Sequence, residues 1–251
     1  MRRSYSPYGS SMSFGPGPLS PALLGIIGAN VVIFFLQLFT DGRAWGLTRT
    51  LGLQPAEVLG SLRVWELGTY MFLHGGLFHI LFNMLALWMF GTELERIWGT
   101  RYFLKFYFVT GIGAGVLTVL FSLLPFGFAQ QLYASNVIGA SGAIYGLLLA
   151  YGMYFPDRPI YMYLVFPIKA RYFVMIMGAL AFYSSIAERG GVANATHLGG
   201  LVVAYLFLKS GRLHPWSEVK YRYLKWKINR TRARFDVYTG GRAGNWDRKV
   251  H

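Results

Sequence analysis

Ser141 lies in the stretch Gly139-Ala140-Ser141-Gly142-Ala143-Ile144-Tyr145-Gly146, inside an uncharged run that reaches from Phe106 to Phe155. A hydroxyl flanked by glycines is a candidate nucleophile, because glycine lets other groups come close to the backbone. Serine is a weak nucleophile until a neighbouring base takes its proton. Two distant segments carry imidazoles, whose pKa near neutrality suits that task. One is His74-x4-His79-x3-Asn83; the other is Thr196-His197-Leu198-Gly199-Gly200. Serine with histidine points to acyl transfer, which also needs donors for a developing oxyanion, each worth about 3–4 kcal/mol. Ser141 at a helix start would offer free backbone N–H groups and a favourable dipole. His79 and Asn83, four apart on one helix face, can both donate. The competing reading of the serine stretch alone is a packing face, since Gly142 and Gly146 also have small-xxx-small spacing.

The elements that must carry these groups are membrane helices. The chain has 251 residues, 54% apolar and only 14% charged, against about 25% charged in a soluble domain. Its uncharged runs are 21–40, 67–92, 106–156, 172–187 and 190–208. A bilayer core takes about 20 apolar residues per helix, and the longest run is broken near Pro125 and Gly127. The expectation is an all-α membrane protein with six spans at 20–40, 68–91, 103–124, 139–155, 169–187 and 194–209. Residues 1–19, rich in Ser, Gly and Pro, read as a disordered tail, 20–210 as the helical domain and 211–251 as a basic tail. The chain lacks cysteine, which excludes disulfides and thiolate chemistry.

Charge sets the expected orientation. From Lys209 to His251 there are 12 Lys and Arg against 3 Asp and Glu, or +9 of a total +14. A basic tail directly after the last span reads as cytoplasmic, and an even number of spans brings the N-terminus to the same side. The tail reads as held by anionic lipids, at about 1 kcal/mol per basic residue, rather than by nucleic acid. The 41–66 loop, with Trp45, Leu47, Leu51, Leu53 and Trp65, suits a segment lying in the interface. The absence of a transit-like leader favours a prokaryotic plasma membrane.

Spans 2, 4 and 6 then run in the same direction and bring His79, Asn83, Ser141 and His197 to one depth. Thr196, Gly200 and Ala204 form a second small-residue face that matches Gly142 and Gly146, which would bring His197 to Ser141. Span 4 is short for a bilayer, so its start should sit in a wet hollow below the outer surface. Tyr145, one turn on, would support the imidazole. Without an intramembrane carboxylate the pair is a dyad. His74 falls on another face and reads as peripheral. A metal site is not expected, because there is neither a His-Glu-x-x-His pair nor a buried carboxylate.

Together these pieces resemble the rhomboid family of intramembrane serine proteases. The resemblance rests on His74-x4-His79-x3-Asn83, on Gly139-x-Ser141-Gly142 with Tyr145, and on His197-x-x-Gly200. Gly91-x3-Glu95-x3-Gly99 is similar to a further structural motif of that family. It covers roughly residues 20–209. It implies a six-transmembrane-helix rhomboid bundle, with Ser141 as nucleophile, His197 as general base, and His79, Asn83 and the Ser141 N–H as oxyanion donors. It also implies transmembrane protein substrates and no cofactor or metal. One departure is Trp65-Glu66, where the family commonly has Trp-Arg. Rival readings are a catalytically silent rhomboid-like helix binder and a transporter; the presence of both Ser141 and His197, and the lack of an internal repeat, count against them.

Overall fold

A computed structural model describes residues 17–210 other than 44, 126, 163–165 and 188–191. Of the expected tails, 1–19 and 211–251, residues 1–16 and 211–251 lie outside the described residues. The helices are α1 (Pro21–Thr40), α2 (Leu47–Leu51), α3 (Pro55–Gly60), α4 (Glu66–Thr69), α5 (Leu77–Ala86), α6 (Thr92–Trp98), α7 (Thr100–Ser122), α8 (Gly127–Tyr133), α9 (Ser141–Tyr154), α10 (Ala170–Ala187) and α11 (Val192–Ser210). A π turn over Leu87–Gly91 fuses α5 to α6. By length and composition α1, Leu77–Trp98 and α7 are each able to cross a membrane. With α9, α10 and α11 they make the six apolar helices of the expected bundle.

Local chemistry explains where the helices begin and end. Ser20 caps α1 by accepting the Leu23 N–H at 3.1 Å, and Pro21 fills the first turn, where a missing N–H costs nothing. Leu23, Ile26, Asn30, Phe34 and Gln37 form the buried stripe of α1, while Leu24, Val32, Phe35 and Phe39 face outward. Gly99, at φ +75°, ends α6, and its N–H donates to the Glu95 carbonyl at 2.8 Å. The Glu95 carboxylate accepts from Ser20 Oγ and Thr100 Oγ1, both at 2.6 Å. The Gly-Glu-Gly spacing is therefore a joint between α1, α6 and α7. The α9 helix is buried on nearly all sides, at Gly142, Ala143, Ile144, Gly146, Leu147, Leu148, Ala150, Tyr151 and Gly152, and so forms the centre of the bundle.

Several expectations are corrected. The second span begins at Leu77 and ends at Trp98. Its expected start, from residue 68, is occupied by α4, a 3-10 turn over Tyr70–Phe72 and an extended segment. The Gly75-Gly76 pair disfavours helix there, and the exposed backbone is satisfied by Gln37, whose Oε1 accepts the His74 N–H at 2.9 Å. Leu53 is core rather than interfacial: it is buried and pairs antiparallel with Val137. Two carboxylates, Glu66 and Glu95, are buried. Glu66 accepts the Gln54 N–H at 2.9 Å and faces Arg63 at 3.6 Å, so the unusual Trp65-Glu66 pair is absorbed by an arginine two residues earlier. Burial raises the Glu66 carboxyl above its ordinary value, against the Gln54 N–H and Arg63, which pull it down. The 155–169 connection holds a hairpin, β1 (Pro159–Met162) antiparallel to β2 (Phe166–Lys169). The chain from Gly17 is tied to the bundle, since the Gly17 carbonyl accepts from Trp88 Nε1 at 3.2 Å.

Candidate active site

The segment before α9 determines where Ser141 points. Gly139 adopts φ +128°, which residues with a side chain rarely tolerate, and its N–H donates to the Tyr70 carbonyl at 2.9 Å. A Cβ at Gly139 would stand 2.8 Å from His79 Nε2. The glycine thus permits both the turn and the approach of the histidine. Ser141 is the first residue of α9, where N–H groups of the opening turn have no helical acceptor.

Close packing brings the second group in. A Cβ at Gly200 would overlap the Gly142 carbonyl oxygen and stand 2.9 Å from its carbon. One at Gly142 would stand 3.3 Å from Thr196 Cγ2, and one at Gly146 3.2 Å from Ala204 Cβ. The two small-residue faces therefore meet. His197 Nε2 lies 2.7 Å from Ser141 Oγ. The Tyr145 ring stacks on the imidazole with centroids 4.3 Å apart and planes 8° from parallel. His197 Nδ1 is buried with no hydrogen-bond partner among the described residues. Neither Glu66 nor Glu95 is hydrogen-bonded to it; their partners are given above.

His79 and Asn83 line the same hollow. The Gly75 N–H donates to His79 Nδ1 at 3.2 Å, so a neutral His79 carries its hydrogen on Nε2, the atom beside Gly139. Asn83 Nδ2 donates to the His79 carbonyl at 2.8 Å, which leaves its second amide hydrogen for another acceptor. The hollow has a volume of about 440 Å³ and is shared by His79, Asn83, Ser141 and Tyr145 with Phe78, Phe82, Phe90, Leu148, Phe173 and Met177. Four polar side chains thus share a cavity whose other lining residues are apolar. Among the described residues no three His, Asp or Glu side chains converge as a metal site would require.

His74 is buried, but it does not line the cavity that holds Ser141. It is 2% exposed, and its ring meets that of His79 edge-on at 5.0 Å. It also lines a second cavity of about 340 Å³ with Gln37, Asp41 and Thr48. The sequence reading put it on another helix face, whereas its segment is extended. It also missed α7 as the third wall. Gly142 and Gly146 pack against Ala114 and Thr110 as well as against α11. Thr118 Oγ1 lies 2.8 Å from Thr196 Oγ1 and ties α7 to the residue before His197. Small and hydroxylated residues at Thr110, Ala114 and Thr118 are the signal that could have shown it.

A family model described as "Rhomboid domain" matches residues 61–211. The mitochondrial Rhomboid protein 1 of Saccharomyces cerevisiae is 31% identical over 195 residues, covering 76% of this chain and 53% of that protein. Rhomboid protease GluP of Bacillus subtilis is 32% identical over 179 residues, covering 70% of this chain and 32% of the relative. Rhomboid protease AarA of Providencia stuartii is 29% identical over 212 residues, covering 78% and 74%. The chain spans about half or less of the length of the first two relatives. The matched segment holds α4 to α11, and with them every residue that lines the larger cavity; on that match the chain belongs to the rhomboid family.

Proposed function

We propose that this protein is an intramembrane serine endopeptidase that cleaves transmembrane segments of other membrane proteins through Ser141 and His197. The observation that carries this reading is the 2.7 Å approach of His197 Nε2 to Ser141 Oγ, with the Tyr145 ring stacked on the imidazole. With its own hydrogen on Nδ1, His197 accepts the Ser141 proton at Nε2 as Oγ attacks the scissile carbonyl carbon. The oxyanion is met by the Ser141 N–H, by His79 Nε2–H and by the free hydrogen of Asn83 Nδ2. The imidazolium then protonates the leaving amine. Water, deprotonated by His197, hydrolyses the acyl-serine and restores both groups. Gly139 and Gly142 keep the backbone slim where these groups converge, and Tyr145 holds the imidazole plane.

The apolar walls from Phe78, Phe82 and Phe173 suit an unwound transmembrane segment better than a soluble peptide. Arg158, Lys169 and Arg171 follow the C-terminal end of α9, remote from Ser141, which supports an orientation with that end and both termini in the cytoplasm. We place the protein in a prokaryotic plasma membrane, with the basic C-terminal tail on anionic lipids and without a nucleic-acid partner, cofactor or metal.

The test is a fluorophosphonate probe with the detergent-solubilised full chain, beside cleavage of a reconstituted transmembrane substrate. Labelling and cleavage are expected for the wild type and absent for Ser141→Ala and His197→Ala with the fold intact. Cleavage retained by either variant, or no labelling of the wild type, overturns the reading.

A further inference from the structure

The β1–β2 hairpin takes no part in the site, yet it carries an unusual surface. Side chains alternate between the two faces of a strand. Ile160 turns into the core at 7% exposure, while Tyr161 beside it is 56% exposed and Phe166, across the hairpin, 65%. Tyr154 at the end of α9 and Tyr172 in the first turn of α10 are exposed as well. Four open aromatic rings thus gather at one level of the molecule. Arg158, Lys169 and Arg171 stand among them; the Arg171 guanidinium lies over the Tyr172 ring at 4.9 Å and that of Arg158 over Phe155 at 4.7 Å.

Depth places this level. The 14 residues of α9 rise about 20 Å, against a hydrocarbon core of about 30 Å. A helix that begins in a hollow below one face therefore emerges at the other, and β1 starts five residues later. Aromatic rings beside Lys and Arg are the composition of a membrane–water interface.

The local charge is positive. Asp157 pairs with Lys169 at 3.2 Å and Arg171 at 3.3 Å, and Glu93 pairs with Arg158 at 2.8 Å and Arg96 at 3.6 Å. Among the described residues Arg158, Lys169 and Arg171 outnumber the two carboxylates they meet, Asp157 and Glu93, which leaves this surface positively charged. A second copy of this chain would bring the same surplus and be repelled. An acidic soluble partner would leave the exposed rings in water. An anionic leaflet satisfies both.

We propose that the β1–β2 hairpin is an interfacial anchor, in which Tyr161 and Phe166 seat in the leaflet remote from Ser141 while Arg158, Lys169 and Arg171 hold the phosphates of anionic phospholipids. The anchor is coupled to the bundle. The Ala170 N–H donates to the Arg158 carbonyl at 2.9 Å and the Arg171 N–H to the Pro156 carbonyl at 3.1 Å. It therefore positions the start of α10, which supplies Phe173 and Met177 to the larger cavity. The proposal rests on membrane embedding and makes no use of the serine or histidine.

The chain has no cysteine, so Phe166→Cys carrying a nitrobenzoxadiazole dye reports one place. The full-chain protein is reconstituted into phosphatidylcholine vesicles with and without phosphatidylglycerol. Blue-shifted emission is expected, quenched by lipids spin-labelled near the glycerol level and shielded from aqueous iodide. Quenching by spin-labelled phosphatidylglycerol should exceed that by phosphatidylcholine, and Lys169→Gln and Arg171→Gln should each reduce the preference about fivefold. Tyr161→Cys repeats the measurement if the dye at 166 disturbs folding. Water-like emission with iodide quenching at both positions overturns the anchor. Lipid quenching without a phosphatidylglycerol preference overturns the headgroup site. Emission that shifts with protein-to-lipid ratio overturns it in favour of a contact between copies.

Discussion

Gly200→Ala tests whether backbone contact between α9 and α11 sets the catalytic distance. The new methyl carbon would overlap the Gly142 carbonyl oxygen and sit 2.9 Å from its carbon, whereas carbon atoms pack at about 3.5–4.0 Å. The clash is with backbone, so no rotamer relieves it, and the helices must part by about 1 Å. Ser141 is adjacent to Gly142 and His197 is one turn from Gly200. The same displacement stretches their 2.7 Å approach to about 3.7 Å, beyond hydrogen-bond range. A misplacement of about 1 Å costs on the order of 10² in rate, or about 2.7 kcal/mol of transition-state stabilisation. The assay is cleavage of a reconstituted transmembrane substrate and the rate of fluorophosphonate labelling, with helicity and melting followed in parallel. Gly178→Ala is the control, because its methyl would meet only the end of the Leu201 side chain at 3.4 Å. A folded Gly200→Ala protein that cleaves and labels at the wild-type rate refutes the reasoning.

Asn83→Ala should lower kcat by about 10²-fold without abolishing turnover, since the other two proposed oxyanion donors remain; cleavage kinetics will show it, and a fully inactive folded protein would mean that Asn83 does more than donate. Tyr145→Phe keeps the ring stacked on His197 and should retain most activity, while Tyr145→Ala should lose about tenfold through kcat; equal rates in the two variants would dismiss the stacking. The raised Glu66 carboxyl means that the folded state holds its proton more tightly than the unfolded chain. Its contribution is present below the ordinary value of 4.5 and is lost as pH rises through the higher folded-state value. Melting temperature in detergent should carry that loss, and Glu66→Gln should flatten it.

Much of this protein was legible in its residues because membrane helices announce themselves by composition. Where backbone hydrogen bonds must close internally, an uncharged run of bilayer length leaves few alternatives to a helix. Ser141, His197, His79 and Asn83 stood out because polar groups in such runs are costly. The small-residue faces also indicated which helices touch. The 68–76 segment was misread because its apolar content equals that of a helix; only the Gly75-Gly76 pair and the Gln37 side chain, far away in sequence, make it extended. His74 was misplaced for the same reason. Glu66 and Glu95 are buried because Gln54 and Arg63 meet the first and Ser20 and Thr100 the second, which a hydropathy reading cannot see.

By itself the sequence determined the membrane class and the six apolar helices, and it singled out the residues proposed for acyl-transfer chemistry. These follow from side-chain types and local periodicity. The tertiary structure decided the 2.7 Å approach of Ser141 to His197, the tautomer of His79 through the Gly75 N–H, and the part of α7 as a wall behind both. The first and the last depend on non-local backbone approach, in which positions 56 residues apart are brought together by glycine contacts that no single segment encodes, and the His79 tautomer depends on the extended path of the chain before α5.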